Sequence, residues 1–346
     1  MNRENTYPRQ VAQALLMLVL LLIVIGLTSR SAGIEEPDRD AGDMALGQRI
    51  IDEMRAGEDY YSAANHVLRM HGSYASRPFV NFRLPVLATV SSLFPDNFIP
   101  QLMLLVLSIA VLAAWTHEII RRAGLALGLL GGGFLLFGVA NATTPGAFLS
   151  HDLWAGLLIA LSLWYSPRNW KASVACGLAA LSIREHAVIF VLVMAVLAWL
   201  QGHRREAVAW TAGIAISALY IMHHADLASQ YVKPDDPARS WMTLGGWAFV
   251  VSTGRWTLLT MFAPSSVSAI LTPVALLGLA AYPGRIGERM VATVLSYVVV
   301  FMFIGTPDYW YWGQIYAPLL AVGLACSVPA LRNLLRCAFM KSPILV

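Results

Sequence analysis

Charge is scarce in this chain. Aspartate, glutamate, lysine and arginine make up 13% of its 346 residues, against 58% hydrophobic residues, which excludes an ordinary soluble domain and indicates a polytopic membrane protein. Cysteine is scarcer still. Cys176, Cys326 and Cys337 fall in apolar runs or in the basic C-terminal stretch, so the polar segments hold no thiol and no disulfide framework is expected. P-loop, Gly-x-Gly-x-x-Gly, serine nucleophile elbow and His-Glu-x-x-His patterns are all missing. Their absence removes the familiar signatures of nucleotide, serine-hydrolase and zinc-protease chemistry. No internal repeat or low-complexity segment occurs, which weakens the case for an inverted-repeat transporter.

What the chain does have is long apolar runs, near 11–27, 99–115, 124–140, 152–165, 172–183, 187–200, 207–222, 258–281, 290–305 and 315–330. At 1.5 Å rise per residue, runs of this kind can cross about 30 Å of hydrocarbon. The fold class predicted is therefore an all-α polytopic membrane protein of about ten spans, a single integral membrane domain over 1–346. The fifth and sixth runs are short and separated by Arg184-Glu185-His186, where a break or re-entrant turn is expected. No Ala-x-Ala-like site follows the first run at Ser29 to Gly33, so that run is expected to be retained as a span. Gly131-Gly132-Gly133 lies inside a run and reads as a close helix-packing site.

Basic residues orient the spans, because short loops rich in Lys and Arg stay in the cytoplasm. Thirteen of the 24 basic residues, from Arg3 and Arg9 through Arg121, Arg122, Arg204 and Arg205 to Lys341, fall on one side with only four of the 20 acids. Both termini are thus expected in the cytoplasm, with the longer loops on the outer face of what reads as a bacterial inner membrane. The net charge of +4 follows from this rule, and no nucleic-acid partner is implied.

Two outer loops stand out. The first, 28–98, carries Glu35-Glu36-Pro37-Asp38-Arg39-Asp40 and then Met44, Gly47, Ile50, Ile51 and Met54 at helical spacing with polar residues between. The spacing predicts an amphipathic helix over Asp43 to Arg55, lying in the lipid interface or against the bundle. Gly57 is expected to end it, a second short helix to run from Asp59-Tyr60-Tyr61 to about Met70, and Gly72 to Pro85 to be irregular. The second large loop, 223–257, holds His223-His224-Ala225-Asp226 and Lys233-Pro234-Asp235-Asp236-Pro237. A third polar stretch, Asp308-Tyr309-Trp310-Tyr311-Trp312, reads first as an aromatic belt. Loops elaborated on one face put the site on that face.

Ionisable residues there are the candidates for chemistry. Asp38, Asp40 and Asp43 stand at the start of the amphipathic helix, where the helix dipole favours carboxylate, and each can instead be a helix cap. An ionised carboxylate at the membrane surface can serve as general base. Asp152 at the start of the fourth run and Glu185 between two runs are costly in a membrane unless partnered or facing water. The plainer alternatives are a cap for Asp152 and an ion pair with Arg184 or His186 for Glu185. Arg77, Arg83, Arg184, Lys233, Arg239 and Arg255 are candidate contacts for a phosphate, which a guanidinium can hold bidentately. Six of the eight histidines lie on this face: His66, His71, His151, His186, His223 and His224. His223, His224 and Asp226 are weak candidates for a divalent metal, and no cofactor is otherwise implied.

This arrangement resembles the GT-C superfamily of integral membrane glycosyltransferases. The likeness rests on the architecture and on Asp43 followed, after one amphipathic helix, by Gly57-Glu58-Asp59-Tyr60-Tyr61; Asp152 and Arg184-Glu185 are similar to further acidic and basic positions of that superfamily. It covers residues 1 to about 200. The resemblance implies transfer of a sugar from a polyprenyl-phosphate donor to a lipid, glycan or protein hydroxyl at the outer face, with Asp43, or failing it Asp40, as catalytic base. A lipid-linked glycan flippase or other transporter, and a non-catalytic membrane subunit, remain as competing classes. A transporter predicts charges spread through the spans, whereas here they crowd the outer rim.

Overall fold

The computed structural model describes residues 7–29, 42–70, 77–236, 243–256, 258–261, 263–305 and 307–339. Among them are fifteen α-helices and no β-strand. In chain order these are α1 (Arg9–Thr28), α2 (Asp43–Arg55), α3 (Tyr60–Met70), α4 (Val86–Ser92) and α5 (Phe98–Ala123). There follow α6 (Leu125–Val139), α7 (His151–Tyr165), α8 (Trp170–Ile183), α9 (Val188–Leu200) and α10 (Arg204–Ser229). The last five are α11 (Gly246–Thr253), α12 (Leu258–Met261), α13 (Ser265–Ala280), α14 (Gly284–Phe303) and α15 (Ala317–Phe339).

Each of the ten apolar runs folds largely as helix, but helix lengths differ. Among the described residues six helical stretches are long and apolar enough to cross a membrane: α1, α5, Leu125–Thr143, α10, α14 and α15. Three apolar stretches, Trp170–Ile183, Glu185–Leu200 and Ser265–Ala280, are shorter, and α7 has 15 residues. Large apolar side chains on α1 and α5, among them Met17, Leu20, Leu21, Val106 and Ile109, are exposed, as lipid-facing surfaces require. The chain is an all-helical integral membrane protein. The loop expected over 223–257 is partly helical, because α10 continues to Ser229 and α11 forms around the buried Trp247, Phe249, Val250 and Val251.

By its internal contacts the chain divides into two units, Met1–Ala32 with Val111–Ala140 and Leu244–Val346, and Gly33–Ala110 with Asn141–Thr243. In the first unit α15 is the most enclosed helix, buried over most of Ala317 to Ser327. It meets α13 where Gly278 faces Gly323; a Cβ built on Gly278 would stand 1.9 Å from the Gly323 carbonyl oxygen. Small residues at such a crossing let two backbones touch. Gly278→Ala is accordingly expected to cost about 1–3 kcal/mol through overpacking, read as a lowered unfolding temperature of the detergent-solubilised protein. At one end of this unit Arg9 Nε and Gln13 Nε2 both donate to the Ala338 carbonyl, at 3.1 and 3.2 Å. The start of α1 thereby satisfies a backbone acceptor that the end of α15 leaves open.

The second unit carries the amphipathic helix. Bounds of α2 and α3 agree with the spacing: α2 buries Leu46, Ile50 and Ile51 and stops before Gly57, whose φ of 108° suits only glycine. Met44, counted on the apolar stripe, is exposed. The stripe of α2 packs on α3 and on the buried Tyr60, Ala63, Ala64, Val67 and Phe82, so its apolar face is turned toward protein. Arg55 fixes the other end: its Nε donates to Phe94 O at 2.9 Å, and its Nη2 to Asp96 O and to Asn97 Oδ1, both at 2.9 Å. These bonds lock the C-terminus of α2 to the turn that begins α5.

Candidate functional site

Asp59 starts α3 as its cap, accepting from the Tyr61 and Ser62 amides at 2.9 and 3.2 Å. Of the two tyrosines that follow, Tyr60 reaches the segment before α4 and Tyr61 reaches α10. Tyr60 OH donates to the Arg83 carbonyl at 2.6 Å. Tyr61 OH meets His224 Nδ1 at 2.9 Å, while His224 Nε2 meets the Phe82 carbonyl at 3.1 Å. A carbonyl only accepts, so His224 carries its proton on Nε2 and, as a neutral ring, accepts from Tyr61. Two successive carbonyls, those of Phe82 and Arg83, are therefore held by α3 and α10 together.

That clamp positions Arg83 at the wall of a small cavity of about 50 Å³ under α2. Leu46, Gly47 and Ile50 of α2 and Tyr60 and Ala64 of α3 form its apolar side, and Asn81, Arg83 and His151 its polar side. The volume suits a water or two rather than a sugar ring. A Cβ on Gly47 would meet only Leu149, at 3.6 Å.

Beyond His151 lies a buried charge cluster. Ser150 caps α7 by accepting from the Leu153 amide at 3.4 Å, which leaves Asp152 free of the capping role that its position allowed. Helix α8 ends at Arg184, whose backbone is extended, and a 3-10 turn over Glu185–Ala187 leads into α9; the expected break is real. Arg184 Nε donates to Asp152 Oδ1 at 2.9 Å and Nη1 to Glu185 Oε1 at 2.9 Å. Arg184 and Asp152 side chains are 1% and 3% exposed and Glu185 is 22% exposed. His186 Nδ1 stands 4.0 Å from Asp152 Oδ1. Both the ion pair foreseen for Glu185 and a partner for Asp152 are thus supplied by one guanidinium.

His151 is held neutral at ordinary pH. Burial, with the positive charges of Arg83 and Arg184 adding to it, lowers its pKa from 6.5 to about 4. A histidine that binds its proton less readily when folded destabilises the protein where only the unfolded chain is protonated. Stability should therefore rise with pH from about 4 to 6.5 and level off above. His151→Gln is expected to flatten that rise, as measured by thermal unfolding across this range.

The other candidates distribute unevenly. Arg77 Nη1 donates to the Pro234 carbonyl, so that cation is engaged in joining two loops, and Lys233 is exposed. Arg69, which the sequence did not single out, pairs with both oxygens of Asp236 at 2.9 and 3.0 Å and anchors the same segment to α3. Arg255 belongs to the other unit. Asp38, Asp40, His71 and Arg239 lie outside the described residues, and Asp43 opens α2 with its side chain outside them. In register, Asp43 comes three, four and seven residues before Leu46, Gly47 and Ile50, which is the stripe that walls the cavity.

The metal candidates are not assembled. His223 and Asp226 are exposed on α10 while His224 is buried, because neighbouring residues on a helix diverge by about 100°, and both nitrogens of His224 already have partners. Among the described residues no group of three His, Cys, Asp or Glu side chains could hold a metal ion. In the first unit the aromatic run stacks on itself and on a neighbour, Tyr309 on Trp312 at 4.8 Å and Trp310 on Trp256 at 4.4 Å. No family model, curated protein or solved structure matches this chain.

Proposed function

We propose that this protein is a membrane glycosyltransferase of GT-C type, with about ten spans and both termini in the cytoplasm. It moves a sugar from a polyprenyl-phosphate donor to an acceptor hydroxyl at the outer face of a bacterial inner membrane. The observation that carries this reading is the cavity beneath an amphipathic juxtamembrane helix, with Arg83 and His151 in its wall and the Asp152–Arg184–Glu185 cluster beside it. Outside the cytoplasm, where nucleotide sugars are not expected, an activated sugar has to arrive in the lipid phase. An amphipathic helix beside such a cavity offers a route from the membrane surface.

In the reaction, Asp43 accepts the proton of the acceptor hydroxyl as that oxygen attacks the anomeric carbon, and the lipid phosphate leaves from the opposite side. One displacement inverts the anomeric centre. Charge developing on the leaving phosphate is met by Arg83. Arg184, a candidate for that role by residue type, is less suited, because two carboxylates already neutralise it and would repel a phosphate. Since the cavity holds no more than water, donor binding requires α2 to move away from the Arg83 segment.

Transfer of labelled sugar from a polyprenyl-phosphate donor by the purified protein, with the product anomer read by NMR, tests the reaction. Inversion supports it; retention, or no transfer with any lipid donor, overturns it. Gly47→Trp tests the location. An indole at that position fills the cavity, and it is expected to lower kcat/KM at least tenfold while Gly47→Ala, in ordinary contact with Leu149, leaves it within about twofold.

A further inference from the structure

Around the turn at Arg184 several polar groups are left unused by the fold. Arg184 Nη2, His151 Nε2 and the Tyr220 hydroxyl are buried and have no hydrogen-bond partner. They share a neighbourhood: Glu185 lies within electrostatic reach of both Tyr220 and His151, and Arg184 is bonded to Glu185 itself. Folded proteins seldom leave such atoms unsatisfied, because each forfeits its bonds to water. Ordered water can satisfy such atoms, and so can a ligand whose polar groups take the place of that water.

Their chemistry is mixed. Arg184 Nη2 can only donate. His151 Nδ1 donates to the Leu149 carbonyl at 3.1 Å, so Nε2 carries a lone pair and accepts. Tyr220 can do either, and the Glu185 carboxylate accepts. Arg184 and Arg83 together balance Asp152 and Glu185, so the cluster has no surplus positive charge to hold an anion. An ammonium group or metal ion would leave the guanidinium donor unmet and close to a like charge, and an apolar group would satisfy none of these atoms. A hydroxyl both donates and accepts, and a sugar ring presents several in fixed directions.

We infer that Arg184, Glu185, Tyr220 and His151 form a subsite for the hydroxyls of a neutral sugar ring. This rests on the transferase reading and deepens it by adding a ring-recognition element beside the phosphate contact at Arg83. The ring can belong to the donor or to a glycan acceptor; the hydroxyl chemistry is the same.

Saturation-transfer NMR on the full chain in lipid nanodiscs, with a panel of neutral methyl glycosides as probes, tests the subsite. At least one glycoside is expected to receive saturation, with affinity reduced about three- to tenfold in Tyr220→Phe and about tenfold in Glu185→Gln, and inorganic phosphate should not displace it. Without glycoside, Tyr220→Phe should unfold at or above the wild-type temperature, since the lost hydroxyl bonds nothing in the protein. Absence of saturation for every glycoside, equal binding in both variants, displacement by phosphate, or destabilisation by Tyr220→Phe would each overturn the subsite. Displacement by a polyprenyl-phosphate sugar assigns the ring to the donor, and persistence in its presence assigns it to the acceptor. Glycoside binding without any sugar transfer leaves the subsite standing and removes the transferase reading; transfer without glycoside binding does the reverse.

Discussion

Asp43→Asn is expected to lower the kcat of sugar transfer by about 10²- to 10⁴-fold while the KM for the lipid donor changes little. Asparagine preserves the shape of the side chain and can still sit at a helix start, but it cannot take a proton at neutral pH. The residue opens α2, where the helix dipole favours a carboxylate over its acid, and in sequence it stands three and four residues before Leu46 and Gly47. Since Gly42 holds the N-cap of α2 and Asn and Asp have similar helix propensities, the unfolding temperature should stay near wild type, which separates lost chemistry from lost fold. Asp40→Asn is the control. Normal turnover in the Asp43 variant with a collapse in the Asp40 variant would transfer the role of base to Asp40, and normal turnover in both would end the proposal of an aspartate base in this loop.

A change of similar size, in stability rather than rate, is expected for Arg184→Met. Removing the guanidinium strands Asp152, 3% exposed, and takes from Glu185 its charge partner. Breaking a buried pair from one side costs about 3–5 kcal/mol, since the remaining charge stays desolvated without compensation. The variant should express poorly or unfold many degrees below wild type. Adding Asp152→Asn and Glu185→Gln to it should recover much of the loss, because neutral amides remove the uncompensated charge. A single variant as stable as wild type would show that water already reaches the cluster and screens it.

Local periodicity made much of this fold legible. The run Met44, Gly47, Ile50, Ile51 and Met54 announced α2 to the residue, Gly57 its end, and Arg184-Glu185-His186 the break between two short helices. Pairings across the chain were out of reach. Asp152 and Arg184 are 32 residues apart and meet only because α7 and α8 pack together, so Asp152 read equally well as a cap until Ser150 was seen to hold that place. Residue type alone put Arg77, Arg83 and Arg184 in one class, whereas the structure engages Arg77 with a backbone carbonyl and Arg184 with two carboxylates. Adjacency groups His224 with His223 and Asp226 as a loose metal set, whereas helical phase turns it the other way, toward Tyr61 and Phe82. Tyr220, within a long apolar helix, carried no signal at all; a hydroxyl in such a helix is conspicuous only once its lack of a partner is known.

Helices α7, α8 and α9 have 15, 14 and 13 residues, which at 1.5 Å each come to only about 20–23 Å. If they cross the bilayer as proposed, the hydrocarbon there exceeds them by about 7–10 Å, and the mismatch is relieved by pinching the lipid inward around this part of the protein. Headgroups would then sit deeper beside these helices than elsewhere along the protein's perimeter. A phosphate carried on a long prenyl chain would then have less far to rise out of the hydrocarbon beside these three helices, so their shortness would itself help to deliver the proposed substrate.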